Sequence, residues 1–169
     1  MKKLHSVLYT LRFNEKGTTL IELLIVVSII AVISMVSLLS LLGRSAQTDL
    51  SNVTEQMASL LREARAHSVS QASSTSWGVH FDNSTTTAPF YTLFYSQTYS
   101  TSTTIGYYKL PSGLAYATSS ISSGSSVDVT FAQLSGRASS SASIKIYITG
   151  KGSSNSSTIS VASSGAISF

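Results

Sequence analysis

Cysteine is absent from the chain. That excludes disulfide staples, thiolate nucleophiles and every zinc or iron–sulfur site built on cysteine. Charge is scarce too: Asp, Glu, Lys and Arg make up 11% of the residues, against about 25% in ordinary soluble domains. The three histidines are His5, His67 and His80, so general bases and imidazole ligands are few. Proline is limited to Pro89 and Pro111, and nothing breaks a helix between Leu20 and Gln71. No internal repeat of solenoid period is present.

What is present is divided unevenly along 169 residues, a length that suits one modest domain plus an anchoring element. Residues 1–17 form a short basic leader with Lys2, Lys3, Arg12 and Lys16. Beyond Gly17 there are seven basic residues (Arg44, Arg62, Arg65, Lys109, Arg137, Lys145, Lys151) against six acids (Glu22, Asp49, Glu55, Glu63, Asp82, Asp128), a balance of +1. The sequence pI of about 9.4 therefore belongs mostly to the leader.

An apolar run extends from Leu20 to Leu42, interrupted by Glu22 and a few serines. About twenty apolar residues at about 1.5 Å rise each are enough to span a hydrocarbon core of about 30 Å. Serine is tolerated there because its hydroxyl can bond back to helix carbonyls. The basic residues before the run predict a cytoplasmic N-terminus and an external remainder. Ser45-Ala46, after the run, offers only a weak version of a secretory cleavage site.

From Thr48 to about Gln71, Leu50, Val53, Met57, Leu60, Leu61 and Ala64 recur at helical spacing. One helix of about 50 residues, roughly 75 Å long, is expected, with Gly43 as its weakest point. After Gln71 the period changes to two. Strands are predicted at 76–81, 90–97, 104–110, 127–131, 143–149, 158–161 and 166–169. Ser119–Ser126 and Ser153–Ser157 read as mobile low-complexity loops. The expected fold is α+β: a long N-terminal helix, membrane-spanning over 18–43 and amphipathic over 44–72, packed on one face of a mainly antiparallel β-sheet head at 73–169.

The stretch Gly17-Thr18-Thr19-Leu20-Ile21-Glu22-Leu23-Leu24-Ile25-Val26-Val27 resembles the signature of type IV pilins and type II secretion pseudopilins. In that signature a basic leader ends in glycine, a glutamate lies five residues on, and an apolar helix follows. The resemblance implies that a prepilin peptidase cuts between Gly17 and Thr18 and that Thr18 is N-methylated. The usual residue in place of Thr18 is phenylalanine, so methylation is where this chain departs from the pattern. It also implies that Glu22 meets the N-terminal amine of a neighbouring subunit. A carboxylate in a membrane helix costs at least about 2.5 kcal/mol on insertion scales, and such a pair makes it a register device.

Leu60-Leu61-Arg62-Glu63-Ala64-Arg65-Ala66 followed by Trp77-Gly78-Val79 resembles the minor pseudopilins of the GspH and FimT type. So do Val129-Thr130-Phe131, Ser135-Gly136-Arg137 and the closing Ile159-Ser160-Val161 with Gly165-Ala166-Ile167. The partners implied are prepilin peptidase, other pilin or pseudopilin subunits, an inner-membrane assembly platform and the lipid bilayer. The implied localisation is a single-pass inner-membrane protein, head outside, later part of a filament. No cofactor, metal or catalytic residue is expected.

Two other readings compete. Some FimT-type pilins bind DNA with C-terminal arginines. Here Gly165 leads into Ala166-Ile167, leaving Arg137, Lys145 and Lys151, with Lys109, as the candidate phosphate contacts, and nucleic acid is not expected as a partner. The other is a membrane-anchored external binding protein or enzyme. His80 and Asp82 would share a strand face, but a polar strand end is the commoner meaning of such a pair. The tyrosines Tyr91, Tyr95, Tyr99, Tyr107, Tyr108 and Tyr116 read first as core and cross-strand pairs, and second as a stacking surface.

Overall fold

The computed structural model describes residues 18–151 and 155–169, and leaves the side chains of 36–44 outside the description. Gly17 and the leader lie outside the described residues, as does part of the Ser153–Ser157 segment. The chain divides into two units, Met1–Ser40 and Leu41–Phe169.

Helix α1 runs Leu20–Val69, within two residues of the expected end. From Leu20 to Met35 its large apolar side chains are uncovered, from Val26 at 49% exposure to Leu20 at 84%. Ser28 and Ser34 donate their hydroxyls back to the carbonyls of Leu24 and Ile30, the local satisfaction that lets serine sit in such a run. Among the described residues no helix is long and apolar enough to cross a membrane. The described side chains of the apolar run stop at Met35, so the expected span over 18–43 lies partly outside them.

In the second unit the amphipathic stripe does what its spacing predicts. Leu50, Val53, Met57, Leu60, Leu61 and Ala64 are buried. They join one core with the inner faces of the strands that follow. Those strands are β1 (Trp77–Asp82), β2 (Phe90–Tyr95), β3 (Thr104–Lys109), β4 (Leu114–Tyr116), β5 (Ser126–Phe131), β6 (Ala142–Ile148), β7 (Ser156–Val161) and β8 (Ile167–Ser168).

The expected single sheet is corrected here. Among the described residues the head has two four-stranded sheets, ordered β3-β2-β1-β5 and β4-β6-β7-β8, and every strand pairing within them is antiparallel. Strand β4 went unforeseen because three residues are too short to show a period of two. Its Leu114 and Tyr116 are nonetheless buried. The expectation of a mobile loop at Ser119–Ser126 is also corrected. Ile121 is buried there, the Asn83 side-chain amide donates to the Ile121 carbonyl at 2.9 Å, and Ser126 already belongs to β5. One apolar residue in a serine-rich stretch is enough to pin it.

The helix end is tied to β1. The Trp77 backbone N–H donates to the buried Ser68 hydroxyl at 2.9 Å, and its indole N–H to the Ala72 carbonyl at 2.8 Å. The indole stacks on His67 with centroids 4.3 Å apart. Two turns close over the neighbouring helix surface, and Gly136 and Gly165 in them have positive φ. A Cβ on Gly165 would collide with the Gly136 carbonyl oxygen and come within 3.0 Å of the Arg65 Nε.

Candidate functional site

The N-terminus of α1 is built by a short polar sequence ahead of the apolar run. Thr19 precedes the helix, and its hydroxyl oxygen accepts from the Glu22 backbone N–H at 3.3 Å. Its carbonyl accepts from Glu22 and Leu23 at 3.1 and 3.2 Å. This is an N-cap, and the T-x-x-E spacing of Thr19 and Glu22 is that of a capping box. The cap was legible in the sequence from that spacing. Glu22 thus stands in the first turn, where the positive end of the helix dipole favours a carboxylate. It is exposed and forms no ion pair among the described residues. Thr18 is exposed just ahead of the cap.

The other sites weighed in the sequence are dispersed. Arg137 lies in the turn after β5 and lines a hollow of about 280 Å³ with Ser76, Gln97, Ser135 and Ser139. Lys145 is on β6, in the other sheet, beside Ala117, Thr118 and Ser119. Lys151 follows that strand and is exposed. Lys109 ends β3.

His80 and Asp82 do share a face, and a third residue joins them that sequence reasoning missed. Cross-strand register sets Asp128 of β5 opposite His80. The imidazole is nearly buried, with Nδ1 at 2.5 Å from an Asp128 oxygen and Nε2 at 3.7 Å from an Asp82 oxygen. Tyr99 lies flat on the ring, centroids 3.6 Å apart. Both nitrogens face carboxylates, so neither is turned toward a serine or threonine as a base would be. The carboxylates sit on opposite sides of the ring, and among the described residues no group of three His, Cys, Asp or Glu is arranged to hold a metal ion.

The tyrosines divide between core and surface. Tyr91 and Tyr116 are buried. The Tyr91 hydroxyl donates to the Gln56 side-chain oxygen at 2.6 Å, and burial, aided by the nearby Tyr108, pushes its pKa up to about 12. Burial also raises Tyr116, whose hydroxyl donates to the Phe90 carbonyl. Tyr107 is half exposed and packs against Phe90 with ring centroids 4.6 Å apart and planes tilted by 34°.

Comparison with known proteins bears on the first of these sites. The family model described as the prokaryotic N-terminal methylation motif matches residues 12–38. No curated protein and no solved structure matches the chain. The match covers the end of the leader from Arg12, Thr18, the Thr19 cap, Glu22 and most of the apolar run. It implies processing by prepilin peptidase, assembly with other pilins and a precursor anchored at the inner membrane. The N-terminal segment marks this chain as a prepilin-like substrate of the type IV pilin and pseudopilin kind.

Proposed function

We propose that the chain is a structural subunit, of the minor class, of a type IV pilus or a type II secretion pseudopilus. The observation that carries this is the pairing of the methylation motif with a helix whose apolar side chains point outward on every side. A helix that is hydrophobic all round is stable only when buried in lipid or among other helices. In the precursor a bilayer covers it. In the filament its place is among the equivalent helices of neighbouring subunits.

Within that reading, cleavage falls between Gly17 and Thr18. The new amine, methylated or free, lies one residue before the Thr19 cap. Glu22 pairs with the amine of the next subunit, and a subunit docked out of register leaves both charges unpaired in an apolar core, a strongly unfavourable state. The head faces outward, and its resemblance to GspH and FimT heads supports a low-copy position at the tip or at initiation.

The test is a Glu22→Ala chain made alongside the native one in cells with the complete assembly machinery. The reading predicts that both are cleaved at the same bond, while the variant is missing from sheared filaments. Equal recovery of both chains in the filament fraction contradicts it.

A further inference from the structure

Near the C-terminal end of α1 stand two arginines that the rest of the described chain leaves unsatisfied. Arg62 and Arg65 are three residues apart, so they are neighbours on the helix surface. Among the described residues neither guanidinium forms a hydrogen bond or an ion pair: Glu63 meets His67, and Asp82 and Asp128 both meet His80. Like charges at such spacing repel, so the pair costs stability in the isolated chain.

Both arginines are nonetheless held in place. Gly136 and Gly165 pass so close to Arg65 that a Cβ would stand 3.2 Å from its Nε on the first and 3.0 Å on the second. Two glycines thus make room for an arginine that has no acid. The Arg62 guanidinium lies over the Phe169 ring, 5.2 Å from its centroid, a cation–π contact that gives its N–H donors no oxygen acceptor. Arg62, Arg65, Ala66, Val69 and Ser70 line a hollow of about 400 Å³. Next to it Leu134 is 66% exposed, and its N–H donates to the Ser68 carbonyl at 3.1 Å. Leu134 has a positive φ, as do Gln71, Ser73 and Ser74 in the loop that follows α1. Among the described residues these are the non-glycine positions with positive φ, and strained backbone of this kind gathers where ligands are gripped.

We propose that this hollow is a docking site for a peptide segment of a second, different protein, one that carries a carboxylate beside an aliphatic or aromatic side chain. The two guanidiniums take the carboxylate through paired N–H donors, and Ala66, Val69 and Leu134 cover its apolar neighbour. A second copy of this chain is a poor occupant. Beyond Gly17 its acids are Glu22, Asp49, Glu55 and Glu63 on α1, with Asp82 on β1 and Asp128 on β5, and none projects from a loop. A nucleic-acid backbone fits less well, because it asks for cations that track it in a row, and Lys109, Arg137 and Lys145 are dispersed. The site lies within Leu41–Phe169 and does not depend on the filament reading.

NMR on the isotope-labelled full chain in detergent micelles tests it. The probe is the acetylated, amidated peptide Ala-Leu-Glu-Leu-Ala at millimolar concentration, with Gln in place of Glu as the control. The expected result is saturable movement of the Arg62 and Arg65 Nε–H and the Val69 and Leu134 methyl resonances with the Glu peptide. The Gln peptide binds about tenfold more weakly, and Arg62→Gln weakens the Glu peptide by a similar factor. Arg65 is packed beneath two turns, so the variant there is Arg65→Lys, which keeps the charge, loses the paired donors and weakens binding as well. Unchanged fluorescence of Trp77 checks that each variant folds.

Equal binding of the two peptides overturns the proposal, as does binding that survives Arg62→Gln. Resonances of both arginines that stay fixed with the Glu peptide overturn it too. Movement of the same resonances on raising the protein concentration alone assigns the hollow to a second copy, and tighter binding of an oligothymidylate assigns it to nucleic acid; either result also overturns the proposal.

Discussion

Three glycines separate two costs that are usually confounded, the strain of a left-handed backbone and the volume of an added methyl group. Gly150 has φ +80 with nothing within 4 Å of where a Cβ would stand, so Gly150→Ala tests backbone strain alone. That strain is about 1–2 kcal/mol, partly offset by the 0.4–1 kcal/mol or so that alanine gains by restricting the unfolded chain. The net loss is about 1 kcal/mol. Gly78 has no positive φ, but a Cβ there would lie 2.7 Å from the Val129 carbonyl oxygen and 2.9 Å from the Phe94 ring. Overpacking of this kind costs about 1–3 kcal/mol. Gly165 combines φ +84 with a collision against the Gly136 carbonyl, and backbone oxygen cannot rotate away as a side chain would. The two costs together come to about 3–4 kcal/mol. Urea unfolding of the full chain in detergent, followed by fluorescence of Trp77, the single tryptophan, reads all three. With a slope of about 2 kcal/mol/M, Gly165→Ala lowers the midpoint by about 2 M and Gly150→Ala by about 0.5 M, with Gly78→Ala between them. Equal losses for Gly150→Ala and Gly165→Ala would refute the close approach of the two turns at Arg65.

Other consequences follow from the same geometry. Tyr91 is neutral in the folded head up to about pH 12, whereas an exposed tyrosine ionises near 10, so the folded state holds the extra proton between those values. Its contribution is complete below about pH 10 and is lost as pH rises toward 12; pH-dependent urea melts should show that fall, and Tyr91→Phe should lessen it, the remaining fall coming from Tyr116, which burial also raises. Asp128→Ala should destabilise the head more than Asp82→Ala, by about 1 kcal/mol, because the Asp128 oxygen lies at 2.5 Å from the imidazole and that of Asp82 at 3.7 Å. Equal losses would mean that the stacked Tyr99, not the carboxylates, holds the ring. Thr19→Ala should cost about 1 kcal/mol of helix stability and speed amide exchange at Glu22 and Leu23 in micelles, with Thr19→Ser restoring protection.

How much was legible in the sequence depended on the range of the interaction. The amphipathic stripe from Leu50 to Ala64 is local, and its buried face is the one that its spacing predicts. Seven of the eight strands among the described residues were visible as alternating segments. Their partition into two sheets was not, because pairing is decided between residues far apart: β1 pairs with β5 across Trp77 and Phe131. Asp128 escaped notice beside His80 for that reason. The anchoring of Ser119–Ser126 by Ile121 was hidden by the serines around it. The N-cap at Thr19 is local and could have been read directly. Composition drew attention instead to the scattered lysines and arginines.

The central claim is that this chain is processed as a prepilin. Intact mass and N-terminal sequence of the mature protein, with prepilin peptidase present and absent, test it most directly. The account predicts a chain that begins at Thr18, methylated or not, only when the peptidase is present, and retains residues 1–17 without it. A mature chain that begins near Gln47, or one that keeps the leader regardless of the peptidase, would contradict it.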